Sequence, residues 1–103
     1  MGKFSQEFTD LPLHDAILQT VALNWEQKAC SFELLVFSDP GKSATPHILT
    51  FFGVTRLVLP HTDAWGPSSS VNACSHESGT FKVEMQSGDT IEVAARECSL
   101  AAV

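Results

Sequence analysis

The segment TFKVEMQSGDTIEV, residues 80–93, constrains this chain more than any other stretch. Apolar and polar residues alternate on both sides of a short loop that carries a glycine. Alternation with period two belongs to a half-buried strand. A two-residue loop at Ser87 and Gly88 would set Val83 opposite Glu92 and mix core with solvent. A three-residue loop, Gln86, Ser87 and Gly88, sets Val83 opposite Ile91 and Phe81 opposite Val93. It also puts Gly88 where a G1-bulge hairpin requires a left-handed residue. Parity and turn chemistry agree, so a hairpin is predicted here.

The same period recurs upstream. From Ala16 onward Ile17, Val21, Leu23 and Trp25 share one parity, with Gln19 interrupting. Cys30, Phe32, Leu34 and Val36 share another. A four-residue loop over residues 26–29 would pair Trp25 with Cys30 and Leu23 with Phe32, apolar sets on one face. HILTFFGVTRLVL, residues 47–59, is rich in β-branched and aromatic residues, as strands are. Gly53 marks a bend in it, or the meeting of two short strands. SVNACS, residues 70–75, is a further strand, joined through ESG to Thr80. Phe4 and Phe8, four apart, fit one face of a short helix over residues 3–10. SDPGKSATP at 38–46 and PHTDAWGPSSS at 60–70 collect turn residues and read as loops.

The sum is a mainly β fold, an antiparallel sandwich or small barrel of six to seven short strands, led in by one short N-terminal helix or an irregular segment. No strand–helix–strand alternation appears, so a doubly wound nucleotide fold is not expected. The length, 103 residues, fits a single β-rich domain over 1–103. Hydrophobic residues at 44% and charged residues at 17% describe a globular chain rather than a disordered one.

The net charge of −6 repels phosphate backbones, so no nucleic-acid partner is expected; a basic partner would be steered toward it. No stretch reaches the length of a membrane helix, so no membrane partner is expected either. Cys30, Cys74 and Cys98 are an odd set without a C-x-x-C, unlike a secreted disulfide framework. MGKFSQEF lacks the apolar run of a signal peptide. A cytoplasmic location is the expectation, with the cysteines as thiols.

Several motifs invite chemistry. PGKS at 40–43 lacks the earlier glycine of a phosphate loop, since Val36 stands there. GPSSS at 66–70 ends in Ser70 where a nucleophile elbow needs glycine. His61 and Asp63, and likewise Cys74 and His76, are spaced by two, which puts each pair on one face of a strand. Together they form a candidate metal set, because zinc takes these ligand types. His14 and Asp15 would point to opposite faces if the first strand began at Leu13; only a turn would let them converge. Asp15 then reads as a local cap on nearby backbone N–H groups, and His14 as a partner for a neighbouring strand's backbone. Both are candidate binding residues. So is Trp65, a loop tryptophan either tucked over a core edge or offered to a partner. Glu84 and Glu92 come near each other in the late hairpin, but on its solvent face.

LPLHDA, LNW, FGVTRLVLP, WGPSSSVN and MQSGDTIEV together resemble small, single-domain, β-rich bacterial proteins of unknown function, with an HDA lead-in before the first strand and a late SGD hairpin. The resemblance covers residues 11–94 and implies no catalytic residue. The expected function is therefore a non-enzymatic binding or protein-interaction domain without a cofactor. Its partner is another protein, or a second copy through a strand edge or the Trp65 loop. An acidic antidote covering a basic toxin is one specific form of this. The alternative is a small-molecule or metal-binding domain built from the loop His, Asp and Cys residues.

Overall fold

A computed structural model describes residues 8–9, 11–37 and 43–103 of the chain. Its strands in chain order are β1 (Ile17–Asn24), β2 (Ala29–Val36), β3 (Thr45–Phe52), β4 (Arg56–Val58), β5 (Val71–Glu77), β6 (Thr80–Met85), β7 (Thr90–Ala94) and β8 (Glu97–Ala102). They form two four-stranded antiparallel sheets, ordered β1-β2-β3-β8 and β4-β7-β6-β5. Of the two architectures expected, the chain adopts the sandwich, and the sheets do not close into a barrel.

The period-two pattern explains which faces meet. Cys30, Phe32, Leu34 and Val36 of β2 and Leu49 and Phe51 of β3 are buried from one sheet. Phe81, Val83, Ile91 and Val93 are buried from the other. Both sets belong to one continuous core. Its centre is aromatic: the Phe51 ring lies 5.2 Å from Phe32, 5.3 Å from Phe81 and 6.1 Å from Phe8. The Phe8 and Phe81 rings meet edge to face at 5.0 Å. That arrangement sets the positive edge of one ring against the negative face of another. Of the helix expected over residues 3–10 only Phe8 and Thr9 are described; Phe4 lies outside the described residues, as do residues 38–42 of the first loop.

The late hairpin has the expected register, with Val83 opposite Ile91 and Phe81 opposite Val93. Gly88 takes φ +94°. The first hairpin differs from expectation by two residues. Leu23 faces Cys30 and Val21 faces Phe32, so the turn is residues 25–28 rather than 26–29. Asn24 Oδ1 accepts the Gln27 backbone N–H at 2.9 Å, and this side-chain turn fixes the reversal one residue early. A slip of two preserves parity, so the same apolar faces still meet.

The 47–59 segment is two strands meeting at Gly53, and they enter different sheets. Gly53 has φ +68°, and a β-carbon there would run into the Arg96 side chain. The β3–β8 pair continues across this corner into β4–β7: Arg96 N–H donates to Phe52 O at 2.9 Å and Thr55 N–H to Ala94 O at 2.8 Å. One bent ribbon thus supplies strands to both sheets. Pro46, expected in a loop, lies near the start of β3, where a missing donor does least harm. The expected count of six to seven strands falls short of eight because ECSLAA is a strand without strong alternation. Only Cys98 of β8 is buried. Ser78 and Gly79, both at positive φ, make the tight turn between β5 and β6.

Replacing Phe51 by alanine removes the ring that contacts three others and leaves a cavity. The expected loss is about 3–5 kcal/mol of stability, read from urea denaturation midpoints.

Candidate functional site

The β6–β7 turn gathers a cluster of side-chain hydrogen bonds. Met85 N–H donates to Asp89 O at 2.8 Å and Gly88 N–H to Met85 O at 3.0 Å, which closes the turn. Asp89 follows the left-handed glycine and points inward; it is only 5% exposed. Four donors meet its carboxylate. Oδ1 accepts from the Thr62 backbone N–H at 2.8 Å and from Thr62 Oγ1 at 2.9 Å. Oδ2 accepts from the Asp63 N–H at 3.0 Å and from Ser87 Oγ at 2.8 Å. The Thr62 and Asp63 backbone donors, helped by the two hydroxyls, hold this carboxyl well below the usual carboxylate range, although burial opposes them.

That clamp seats the tryptophan loop. Trp65 N–H donates to Ser87 O at 2.8 Å. The indole lies on Gly88, where a β-carbon would stand 2.8 Å from Trp65 Cδ2. The turn therefore needs glycine twice, for its φ and for the ring. Trp65 is both tucked and offered: one part of the ring covers the turn, and the residue is 72% exposed.

On its other side the turn holds His14 and Asp15. The first strand begins at Ile17, not Leu13, and these residues form a turn with Asp15 at φ +67°. Their side chains converge, with His14 Nε2 3.6 Å from Asp15 Oδ2. Among the described residues Asp15 makes no local cap on a backbone N–H; its Oδ1 instead accepts from Gln86 Nε2 at 2.7 Å. The Asp15 N–H donates to Val71 O at 2.8 Å. His14 Nδ1 lies 2.7 Å from Asn72 O, so Nδ1 carries the proton and bonds a neighbouring strand as expected. Both side chains are exposed beyond these contacts.

His61 and Asp63 are also drawn to the turn through Asp89. His61 Nε2 is 3.6 Å from Asp63 Oδ1, an oxygen that is buried without a hydrogen-bond partner among the described residues. Cys74 and His76 go elsewhere. They pair with Val83 and Phe81, moving along β5 away from the turn. At about 3.3 Å per residue, His76 lies some 16 Å along the strand from Val71. The Cys74 thiol packs against the core, and burial, with the Cys98 thiol second, pushes its pKa up to about 12. The His76 ring sits 4.2 Å from Phe81. The four residues of the metal set are therefore split in two. Among the described residues no three His, Cys, Asp or Glu are grouped to hold a metal.

Beside the clamp a cleft of about 390 Å³ opens between β1 and residues 59–61. Leu18, Val21, Met85 and Ile91 line it with apolar surface, and Ser69, Ser87 and Asp89 supply polar groups. Ser87 spends its hydroxyl proton on Asp89, so the hydroxyl is not poised as a nucleophile. Asp89, Gln86 and Asn72 escape a sequence reading because their partners are far along the chain. No local signal joins Asp89 to Thr62. No helix among the described residues is long and apolar enough to cross a membrane. No protein-family model, curated protein or solved structure matches this chain.

The depressed Asp89 carboxyl links stability to pH. Its contribution is fully present above the unfolded carboxylate range near pH 4 and is lost as pH falls toward the folded value. Asp89→Asn is expected to lower the urea midpoint near pH 7 and to shrink the difference between about pH 7 and pH 3. An unchanged midpoint at neutral pH would show that the Asp89 carboxylate does not stabilise the fold.

Proposed function

We propose that this chain is a non-enzymatic protein-interaction domain whose anchor is Trp65, with His14 and Asp15 across the β6–β7 turn as further candidate contacts. The observation that carries the reading is a tryptophan 72% exposed yet fixed at its backbone and one ring face. A large ring held in place before binding loses little entropy on contact, and tryptophan is enriched among residues that dominate binding energy. The net charge of −6 favours a basic partner. We take the cytoplasm as its compartment, since the odd cysteine set and the buried Cys30 and Cys98 side chains suit a reducing environment. A second reading, a small-molecule site in the cleft beside Asp89, is favoured by its apolar floor and buried polar rim.

The test compares wild type, Trp65→Ala and Trp25→Ala in affinity capture quantified by mass spectrometry, with native mass spectrometry for self-association. A partner or second copy should be retained by wild type and Trp25→Ala. Trp65→Ala should bind it about 30-fold more weakly, an anchor's loss of about 2 kcal/mol. Equal retention by Trp65→Ala rejects the anchor.

A further inference from the structure

At the far end of β1 from the clamp, the first hairpin turn meets the β3–β4 corner. Val54 N–H donates to Lys28 O at 2.8 Å and ties the two together. A recess of about 470 Å³ opens there between Leu23 and Trp25 on one side and residues 54–57 on the other. This lies within the size range of small-ligand sites. Val54 is buried at its base, Leu23 and Leu57 add apolar wall, and Trp25 is 85% exposed.

The charge here runs against the rest of the molecule. The chain has 6 Lys and Arg against 12 Asp and Glu, yet the charged residues lining the recess, Lys28 and Arg56, are both cations. Glu92 Oε1 lies 3.8 Å from Arg56 Nη1, a long pair that engages one edge of the guanidinium and leaves other donors for a ligand. Lys28 is the last residue of the hairpin turn. It takes φ +54°, a left-handed conformation that costs a residue with a β-carbon. Glycine or asparagine would close such a turn more easily. Asp15, Asp63 and Ser78 take the same conformation, so it belongs to the turn; the two cations lining the recess are what favour an anion.

We propose that this recess binds a small amphipathic carboxylate. Its apolar body lies against Leu23, Trp25 and Leu57, and its carboxylate lies by Lys28 and Arg56. The site is distinct from the Trp65 surface and stands or falls without it.

The test titrates sodium octanoate, octanol and octylamine into Trp65→Phe protein, followed by calorimetry and by Trp25 fluorescence. Octanoate should bind saturably, shift the Trp25 emission to the blue and weaken in about 0.5 M salt. Octanol and octylamine should bind about tenfold more weakly or not at all. Lys28→Gly separates site from fold. Its melting temperature should equal or exceed the parent's, because glycine relieves the positive φ, while octanoate affinity falls about three- to tenfold. Arg56→Gln should lose a similar factor. The proposal is overturned if octanoate does not saturate, if octanol binds as well, or if neither substitution changes affinity.

Discussion

The Asp89 carboxylate is the constraint on which the rest of this surface depends. A buried carboxylate without partners would be costly, and this one meets four donors from two parts of the chain. Thr62 and Asp63 belong to a long connection between β4 and β5 that has no strand of its own. Such connections in compact folds are commonly functional or mobile. This one is tied at both ends. Asp89 holds residues 62–63, and the Ser69 and Ser70 carbonyls accept from Leu18 and Gln86, each at 2.8 Å. Trp65 sits between these ties, so its placement follows from the turn's polar bonds rather than from burial of its ring.

The two recesses have a common origin in how the sheets meet. One corner is drawn together: Ile17 bridges Ser70, and Val71 N–H donates to Ala16 O at 2.8 Å. The bent ribbon of β3–β4 and β7–β8 joins the sheets at another. Among the described residues no strand pairing closes the gap between β1 and the 54–61 segment: beyond the Ile17 bridge to Ser70, β1 pairs with β2, and β4 pairs with β7. Both the cleft beside Asp89 and the recess beside Trp25 lie along this seam. An unpaired edge is a liability unless something blunts it. On β1 the irregular register at Leu18 to Thr20 does so, with Thr20 turned to donate to Glu33.

How much of this could be read from the residues depended on how local the cause was. The late hairpin was legible because its register is set by three loop residues and strict alternation. The break at Gly53 was legible as a break, but its consequence, a change of sheet, required knowledge of the Phe52 and Ala94 pairing. Alternation cannot distinguish registers of equal parity, so the first hairpin's register differs by two from the one its residues suggest, and the Asn24 side-chain turn decides between them. β8 was missed because its small residues carry little periodic signal. The candidate site divides the same way. His14, Asp15, His61, Asp63 and Trp65 could be picked out as residue types, but what draws them to one turn is Asp89 and Gln86. Those contacts span 26 to 71 residues of sequence. Cys74 and His76 looked like ligands by spacing, and their strand carries them away.

The aromatic residues divide by chemistry, and that division bears on what the surface does. The fully buried rings are Phe8, Phe32, Phe51 and Phe81, and both tryptophans are exposed. The chain has no tyrosine. Phenylalanine fills a dry interior without a polar atom to satisfy, whereas an indole N–H buried there would need a partner. A core of pure hydrocarbon rings therefore asks nothing of its polar surroundings. Each tryptophan instead stands on a turn whose backbone is held by hydrogen bonds, Trp65 by Ser87 and Trp25 within the turn closed by Asn24. Neither ring is needed to exclude water from the core. Both leave large apolar area in solvent, Trp25 beside the recess and Trp65 over the β6–β7 turn, and exposed apolar area of this size is where a contact with another molecule gains most.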